Sequence, residues 1–387
     1  MRKAKNKTLR FSHIYLENWR NFAKVDVDLQ RRAFLVGPNA SGKSNLLDVL
    51  RFLHEIVSVG GGFQDAVQIK RGGVSSLRCL AARRYSDIVI KIHIGNDENP
   101  SAWEYELHFN QDRQRQAFIK KEKVVKEGSV ILTRPDEEDK QDRKRLTQTH
   151  LEQVYANQRF RDVADFFSSV CYMHIVPQLV REPDRSVGRT NDPYGGDFLE
   201  QIAHTPSRTQ GSRLRRIRDT LKVAVPQLQD LELKRDDRGT PHLRGKYEHW
   251  RHYGAWQNEE QLSDGTLRLM GLLWAVLEGT GPLLLEEPEL SLHPEVIRFI
   301  PQMFARIQRR IGRQVLISTH SPDLLRDDGI GLDEVLLLQP ASEGTSVRAA
   351  SSFEEIKELL EGGLNLGDVV MPLTRPKDVQ QLTLFGE

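Results

Sequence analysis

Cysteine is nearly absent: Cys79 and Cys171 are the only two in 387 residues. They lie far apart and form no CxxC pair, so a disulfide framework is excluded and two buried thiols in a reducing compartment are expected. No apolar run approaches the roughly 18 residues that a membrane-crossing helix needs. The opening MRKAKNKTLRF has no apolar stretch of a secretory leader behind it. A cytoplasmic protein without a membrane partner is expected. An excess of charge is missing too, since 56 Lys+Arg face 54 Asp+Glu for a formal +2. Bulk charge therefore makes no case for nucleic acid, and only local basic clusters can make one. Aromatic residues are few, 7%, which points to a polar insertion in a chain otherwise globular in balance, with 38% hydrophobic and 28% charged residues. The length suits one large interrupted domain or two.

Hydrophobic periodicity places strands at Phe11 to Glu17, Val25 to Leu29 and Ala33 to Val36, the last ending at Gly37-Pro38. From Lys43 the leucines recur at helical spacing to about Val57. Ile88 to Ile94, Trp103 to Phe109 and Ala117 to Val125 read as an antiparallel meander. Arg134 to about Arg161 is charged and reads as exposed helix or mobile loop, Cys171 to Val176 as a buried strand, and Ser212 to Val223 as a helix. An α/β rhythm returns with helix Gly265 to Leu277, strand Leu283 to Glu287, helix Pro294 to Arg310 and strands Gln314 to Ser318 and Val335 to Leu338. The expected division is 8–80 as the first part of a nucleotide-binding core, 81–255 as a β-meander and charged helical insertion, 256–370 as the rest of the core, and 371–387 as a tail.

Gly37-Pro38-Asn39-Ala40-Ser41-Gly42-Lys43-Ser44 matches GxxxxGK[ST] between a buried strand and a helix start. Glycines there let backbone N–H groups turn inward on phosphates, and the helix terminus adds partial positive charge. Lys43 is expected at the β and γ phosphates of ATP and Ser44 on Mg²⁺, with Asn39, Ser41, Gly42 and Asn45 completing the contacts. The apolar run Leu283-Leu284-Leu285 ends in Glu286-Glu287, placing Glu286 as metal-orienting carboxylate and Glu287 as the base that polarises the attacking water. Alone, each string has a plainer reading: a glycine-rich turn, a surface acidic pair.

Two further strings carry a family resemblance. Leu262-Ser263-Asp264-Gly265-Thr266 resembles the ABC signature, and His320, in Leu316-Ile317-Ser318-Thr319-His320-Ser321, stands where that superfamily has its switch histidine. By themselves these are an N-capped helix and one imidazole at a strand end. Asp264, the Glu286-Glu287-Pro288-Glu289 run, Leu292-His293-Pro294 and the opening Leu16-Glu17-Asn18-Trp19-Arg20-Asn21-Phe22 make the chain similar to RecF, OLD and SMC-related ATPases over roughly the first 80 and last 130 residues. The resemblance implies an α/β, ABC-type P-loop core with a mixed sheet, split by a long helical and β insertion. It also implies ATP hydrolysis and a homo-oligomer, at least a dimer, in which Ser263 and Gly265 of one copy meet the nucleotide of another. His293 takes the place of the usual D-loop aspartate. Of Gln64 and Gln68, Gln64 is preferred for the glutamine loop.

Only 67 residues follow His320, and none supplies the acidic pattern of a TOPRIM nuclease. Asp333 to Glu355-Ile356-Lys357 imitates a nuclease D…ExK, but Phe353 to Leu360 reads as helix. His242, His249 and His252 lack the companions of a zinc site. A motor without an effector is therefore expected, with a separate partner such as a nuclease, as in bacterial phage-defence ATPases; a RecF-like clamp on DNA is the alternative. Arg208, Arg213, Arg215, Arg216, Arg218 and Lys222, and Lys120, Lys121, Lys123 and Lys126, are candidate DNA contacts or merely solvated faces. The closing Leu382-Thr383-Leu384-Phe385 is a candidate docking tail.

Overall fold

The computed structural model describes residues 8–81, 86–185, 192, 194–250 and 255–375. His252 and the docking-tail residues Leu382 to Phe385 lie outside them. The strands in chain order begin with β1 (Arg10–Trp19), β2 (Phe22–Asp28), β3 (Arg32–Val36), β4 (Ile88–Gly95), β5 (Trp103–Gln111), β6 (Ala117–Lys126) and β7 (Ser129–Arg134). Then come β8 (Cys171–Met173), β9 (Leu228–Arg235), β10 (Pro241–Tyr247) and β11 (Ala255–Asn258). Last are β12 (Leu283–Glu286), β13 (Val315–Thr319), β14 (Val335–Ala341) and β15 (Gly344–Ala349).

The chain forms two compact units, one of Met1–Val170, Thr280–Leu284 and Pro301–Glu387, the other of Cys171–Gly279 and Leu285–Ile300. In the first unit, β15, β14, β3, β13 and β12 stand side by side in that order. β13 and β14 run parallel to β3, while β15 returns antiparallel to β14, so the sheet is mixed as expected. All five positions of β3 and of β13 are buried. A strand covered on both faces needs apolar residues without alternation, which is what RAFLV and VLIST provide. The exceptions are Ser318 and Thr319 at the end of β13 and Arg32, which meets Glu334 at 2.6 Å.

A second sheet of the same unit runs β2-β1-β4-β5-β6-β7, antiparallel throughout. The meander is no separate insertion, because β1 pairs β4 directly, with Ile14 opposite Ile92 and Leu16 opposite Ile90. β1 alternates buried and half-buried residues and has two edges to satisfy; β2 takes one and β4 the other. Between the sheets' elements, Phe11, Phe166, Phe167 and Tyr105 form one aromatic cluster, and Trp19, Phe52, Phe109 and Phe63 another.

The charged stretch after Arg134 carries many exposed residues in short helices, as expected, yet it is anchored by buried charges. The Arg134 side chain is fully buried between Glu122 at 3.0 Å and Asp139 at 2.8 Å. Burial by itself would raise the Asp139 carboxyl, but hydrogen bonds from Arg134 and the Asp136 N–H hold it far below the carboxylate range.

The second unit contains the sheet β11-β10-β9, the helix Ser207–Ala224 and the helix Asp264–Leu277. The residues 256–279, expected to belong with the P-loop core, group here. Helix Pro294 to Arg310 is two helices, Pro294–Ile297 and Ile300–Ile311. Cys79 is buried and Cys171 only half-buried, against the expectation of burial for both.

Candidate nucleotide site

β3 delivers the chain into Gly37, where a Cβ would lie 2.7 Å from Leu338 O and 2.5 Å from Ser41 Oγ. Ala40 and Gly42 have φ of +61° and +96°, turning successive N–H groups toward one point. The 15-residue helix Lys43–Val57 then begins with no side-chain cap and no acid in its first turn. Four backbone donors at such a terminus need an acceptor. The Ser41 hydroxyl is buried in the loop with no hydrogen-bond partner. An uncapped helix start, inward amides and an orphaned buried hydroxyl suit a phosphate chain.

Lys43 Nζ donates to Gly37 O at 2.9 Å and Pro38 O at 3.1 Å, so the ammonium arches over the loop mouth. Asn39 and Ser44 are exposed. Asn45 Nδ2 donates to Asn21 Oδ1 at 2.8 Å, and Asn21 donates to Ser41 O and Thr345 Oγ1, each at 2.8 Å. Any Cβ on Gly42 would collide with the Asn21 amide. Asn21 is thus a prop holding the loop from below, helped by Trp19 Nε1, which donates to Asn45 O at 2.9 Å. Beneath the helix, Asp48 accepts from buried Arg71 at 2.7 Å and from Arg20 at 3.0 Å. Burial opposes ionisation of Asp48, and the charge of Arg71 overrides it, leaving the carboxyl below its ordinary value. Asn21 stood in the opening string that carries the resemblance but without this role, and the sequence signal for Asp48 was an acid inside an otherwise apolar helical stripe.

His320 follows β13 directly and is exposed. It lines a cavity of about 540 Å³ together with Gly37, Pro38 and Asn39. The P-loop and the candidate switch histidine are therefore brought together within the first unit. The Gln64 amide donates to Ala117 O, in β6, and to Thr147 O, both at 2.8 Å. Gln68 donates to Arg115 O at 2.7 Å.

In the second unit, Glu286 accepts a hydrogen bond from the Tyr172 hydroxyl, and His174 Nδ1 lies 3.2 Å from Glu286 O. Glu287 has φ of +42°, a left-handed conformation that is strained for a residue with a Cβ. On the signature helix, burial lowers the Arg268 guanidinium against the opposing charges of Asp264, Glu287 and Glu289. Tyr172, His174 and Arg268 were not found from sequence; no local pattern marks them. Ser263 caps helix Asp264–Leu277, accepting from Thr266 N at 3.2 Å. Gly265 is required locally because a Cβ would strike Ser291 O. Asp264 pairs with Arg181 at 2.5 Å. His293 caps the helix Pro294–Ile297 by accepting from Glu295 N at 3.2 Å.

Of the basic residues, Arg213 lies 5.0 Å over Trp274 and Arg218 meets Asp219 at 2.9 Å, whereas Arg208, Arg215, Arg216 and Lys222 are exposed along helix Ser207–Ala224. The β6 cluster is dispersed: Lys121 pairs with Glu106 at 2.9 Å and Lys126 covers Trp103 at 4.6 Å. His242 binds Glu259 at 2.7 Å, and Glu354–Glu361 is helical where a D…ExK strand would be needed.

Comparison with known proteins follows from this geometry. The family model described as "AAA domain, putative AbiEii toxin, Type IV TA system" matches residues 32–326. No curated protein matches the chain. Among solved structures, an Smc head bound to the C-terminal winged-helix domain of ScpA superposes with a TM-score of 0.53 at 10% identity, covering 88% of this chain and 97% of that one. A second, the Smc head with an extended coiled coil bound to the C-terminal domain of ScpA from Pyrococcus furiosus, gives 0.51 at 11% identity, covering 92% and 100%. At such identities the likeness concerns the fold.

Proposed function

This chain belongs to the AAA-domain family described as putative AbiEii toxin, Type IV TA system, with the ABC-type fold of an Smc head, and from that premise we propose that it binds and hydrolyses ATP, closes as a dimer around two nucleotides, and thereby controls a separate effector, a nuclease of bacterial phage defence. The observation that carries the nucleotide reading is the uncapped P-loop helix, with the orphaned Ser41 hydroxyl inside the loop and His320 in the cavity at its mouth. Mg²⁺, held by Ser44 and Glu286, would neutralise charge on the terminal phosphates. Lys43 leaves its two carbonyl partners for the β and γ phosphates. Glu287 orients water as general base, and His320 contacts the terminal phosphate. Ser263 and Gly265 of a second copy finish the site. A partner protein is supported by the ScpA domains bound to the similar heads.

Calorimetric titration and mass measurement test this directly. Lys43→Ala is expected to abolish ATP binding, and Glu287→Gln to retain binding while accumulating an ATP-bound dimer. Hydrolysis by Glu287→Gln at the parent rate would overturn the base assignment. Nuclease activity of the purified chain with metal but without ATP or partner would overturn the effector role.

The exposed strip Arg208, Arg215, Arg216 and Lys222 favours a second reading, a RecF-like ATPase gripping DNA. Residues 208, 215 and 222 recur every two turns on one face, about 10 Å apart. Duplex binding that weakens steeply with salt, and is lost on reversing these charges, would support it; salt-independent or absent binding would remove it.

A further inference from the structure

We infer that Arg375, at the end of the C-terminal helix Leu366–Leu373, is a further nucleotide-binding residue that contacts the terminal phosphate of the triphosphate held by the same chain. The inference rests on the proposed nucleotide reading of the P-loop and adds a residue to it.

The cavity of about 540 Å³ at the loop mouth has two walls. Gly37, Pro38, Asn39 and His320 form one; Met371, Pro372, Thr374 and Arg375 form the other. Lys43 fixes which end of a nucleotide would occupy it. The Lys43 ammonium rests on the carbonyls of Gly37 and Pro38, two of the lining residues, so the cavity lies at the ammonium end of that side chain. A P-loop lysine serves the β and γ phosphates, which places the terminal phosphate there rather than the ribose or base.

The lining has the chemistry of an anion site. It includes a guanidinium and an imidazole, and none of the described lining residues is a carboxylate. Arg375 makes no ion pair among the described residues, and its side chain is exposed toward the cavity. A planar guanidinium with several donors suits a phosphate better than a point charge does.

The helix Leu366–Leu373, two residues before Arg375, is seated firmly. Gly367 packs so closely on Pro322 O that no Cβ would fit. Pro322 is two residues past His320, so the helix sits on the segment that presents the histidine. Asp368 pairs with Arg326 at 3.2 Å, and Asn365 caps the helix by accepting from Asp368 N at 3.0 Å. At the other end, Thr374 is buried and donates to Met371 O at 2.9 Å, which fixes the chain immediately before Arg375. Arg375 is therefore held on a defined support beside the loop.

The test compares full-length parent, Arg375→Ala, Arg375→Glu and Lys43→Ala by calorimetric titration with the non-hydrolysable triphosphate AMP-PNP and with ADP, each with Mg²⁺. For Arg375→Ala, AMP-PNP affinity is expected to fall about tenfold to a hundredfold, the worth of one charge-assisted contact, with ADP affinity nearly unchanged. Arg375→Glu is expected to fall further for AMP-PNP alone. Unchanged AMP-PNP affinity in both variants, or equal losses for AMP-PNP and ADP, would overturn the role at the terminal phosphate. Lys43→Ala separates the two readings. If it binds both nucleotides as the parent does, the P-loop assignment fails; if it loses them while the Arg375 variants do not, only the present inference fails.

Discussion

Helix Lys43–Val57 and helix Asp264–Leu277 both begin at a sequence motif, yet the first starts on Gly42 with no side-chain cap and no acid in its first turn, while the second starts on Ser263, whose hydroxyl accepts from Thr266 N, and has Asp264 in its first turn. The first terminus has no side-chain cap of its own. The second already satisfies one of its own and places a carboxylate where the helix dipole favours it. In the proposed reading the P-loop terminus takes its anion within a single chain. The signature turn is a stable helix start, and a role toward a nucleotide must come from what approaches it. Its glycine points the same way, since Gly265 is needed for contact with Ser291 O inside its own unit.

Closing the open terminus is the strongest way to break this contrast. Ser44→Asp puts an acid into the first turn of the P-loop helix. ATP affinity is expected to fall about a thousandfold, because two charge-assisted contacts give way to repulsion. Thermal unfolding of the nucleotide-free protein should show stability unchanged or raised by about 0.3–1 kcal/mol from the dipole. Parallel loss of both would mean the terminus is not held open for an anion.

The far end of the same helix offers a pH test. Glu152 accepts from Phe63 N at 2.5 Å just beyond the helix, and burial pushes its carboxyl up to about 7. A raised carboxyl binds its proton more tightly folded than unfolded, so its stabilisation is full below the unfolded value near 4.5 and is lost as pH rises through about 7. On the order of 3 kcal/mol is involved. Denaturant unfolding from pH 5 to 8 should show this slope in the parent and lose it in Glu152→Gln.

The smallest effects separate the two roles of Ser263. Ser263→Ala should cost about 1 kcal/mol of stability through the lost cap. Ser263→Asp keeps a cap and should leave stability nearly unchanged, yet abolish ATP-dependent dimerisation, read by mass, because its charge would face the partner copy's phosphates. Dimerisation by Ser263→Asp equal to the parent would reduce Ser263 to a cap.

The parts of the protein legible in sequence are those whose physics is local. β3 and β13 were readable because a strand buried on both faces must be apolar without alternation, and Gly37 to Ser44 because the loop's conformation and the following helix are set within a few residues. Asn21 supporting the loop from Thr345, Glu122 and Asp139 enclosing Arg134, Tyr172 on Glu286, and Arg375 at the loop mouth were not readable. Each is a polar residue of ordinary surface type whose partner is distant in sequence or in an unmarked position. The sequence by itself determined the P-loop, its strand and helix, and the mixed α/β class, since these follow from spacing and periodicity. Only the tertiary structure decided which charges are buried, that the meander continues the N-terminal sheet, and that the C-terminal helix reaches the loop, since burial and long-range pairing depend on which distant segments the fold brings into contact.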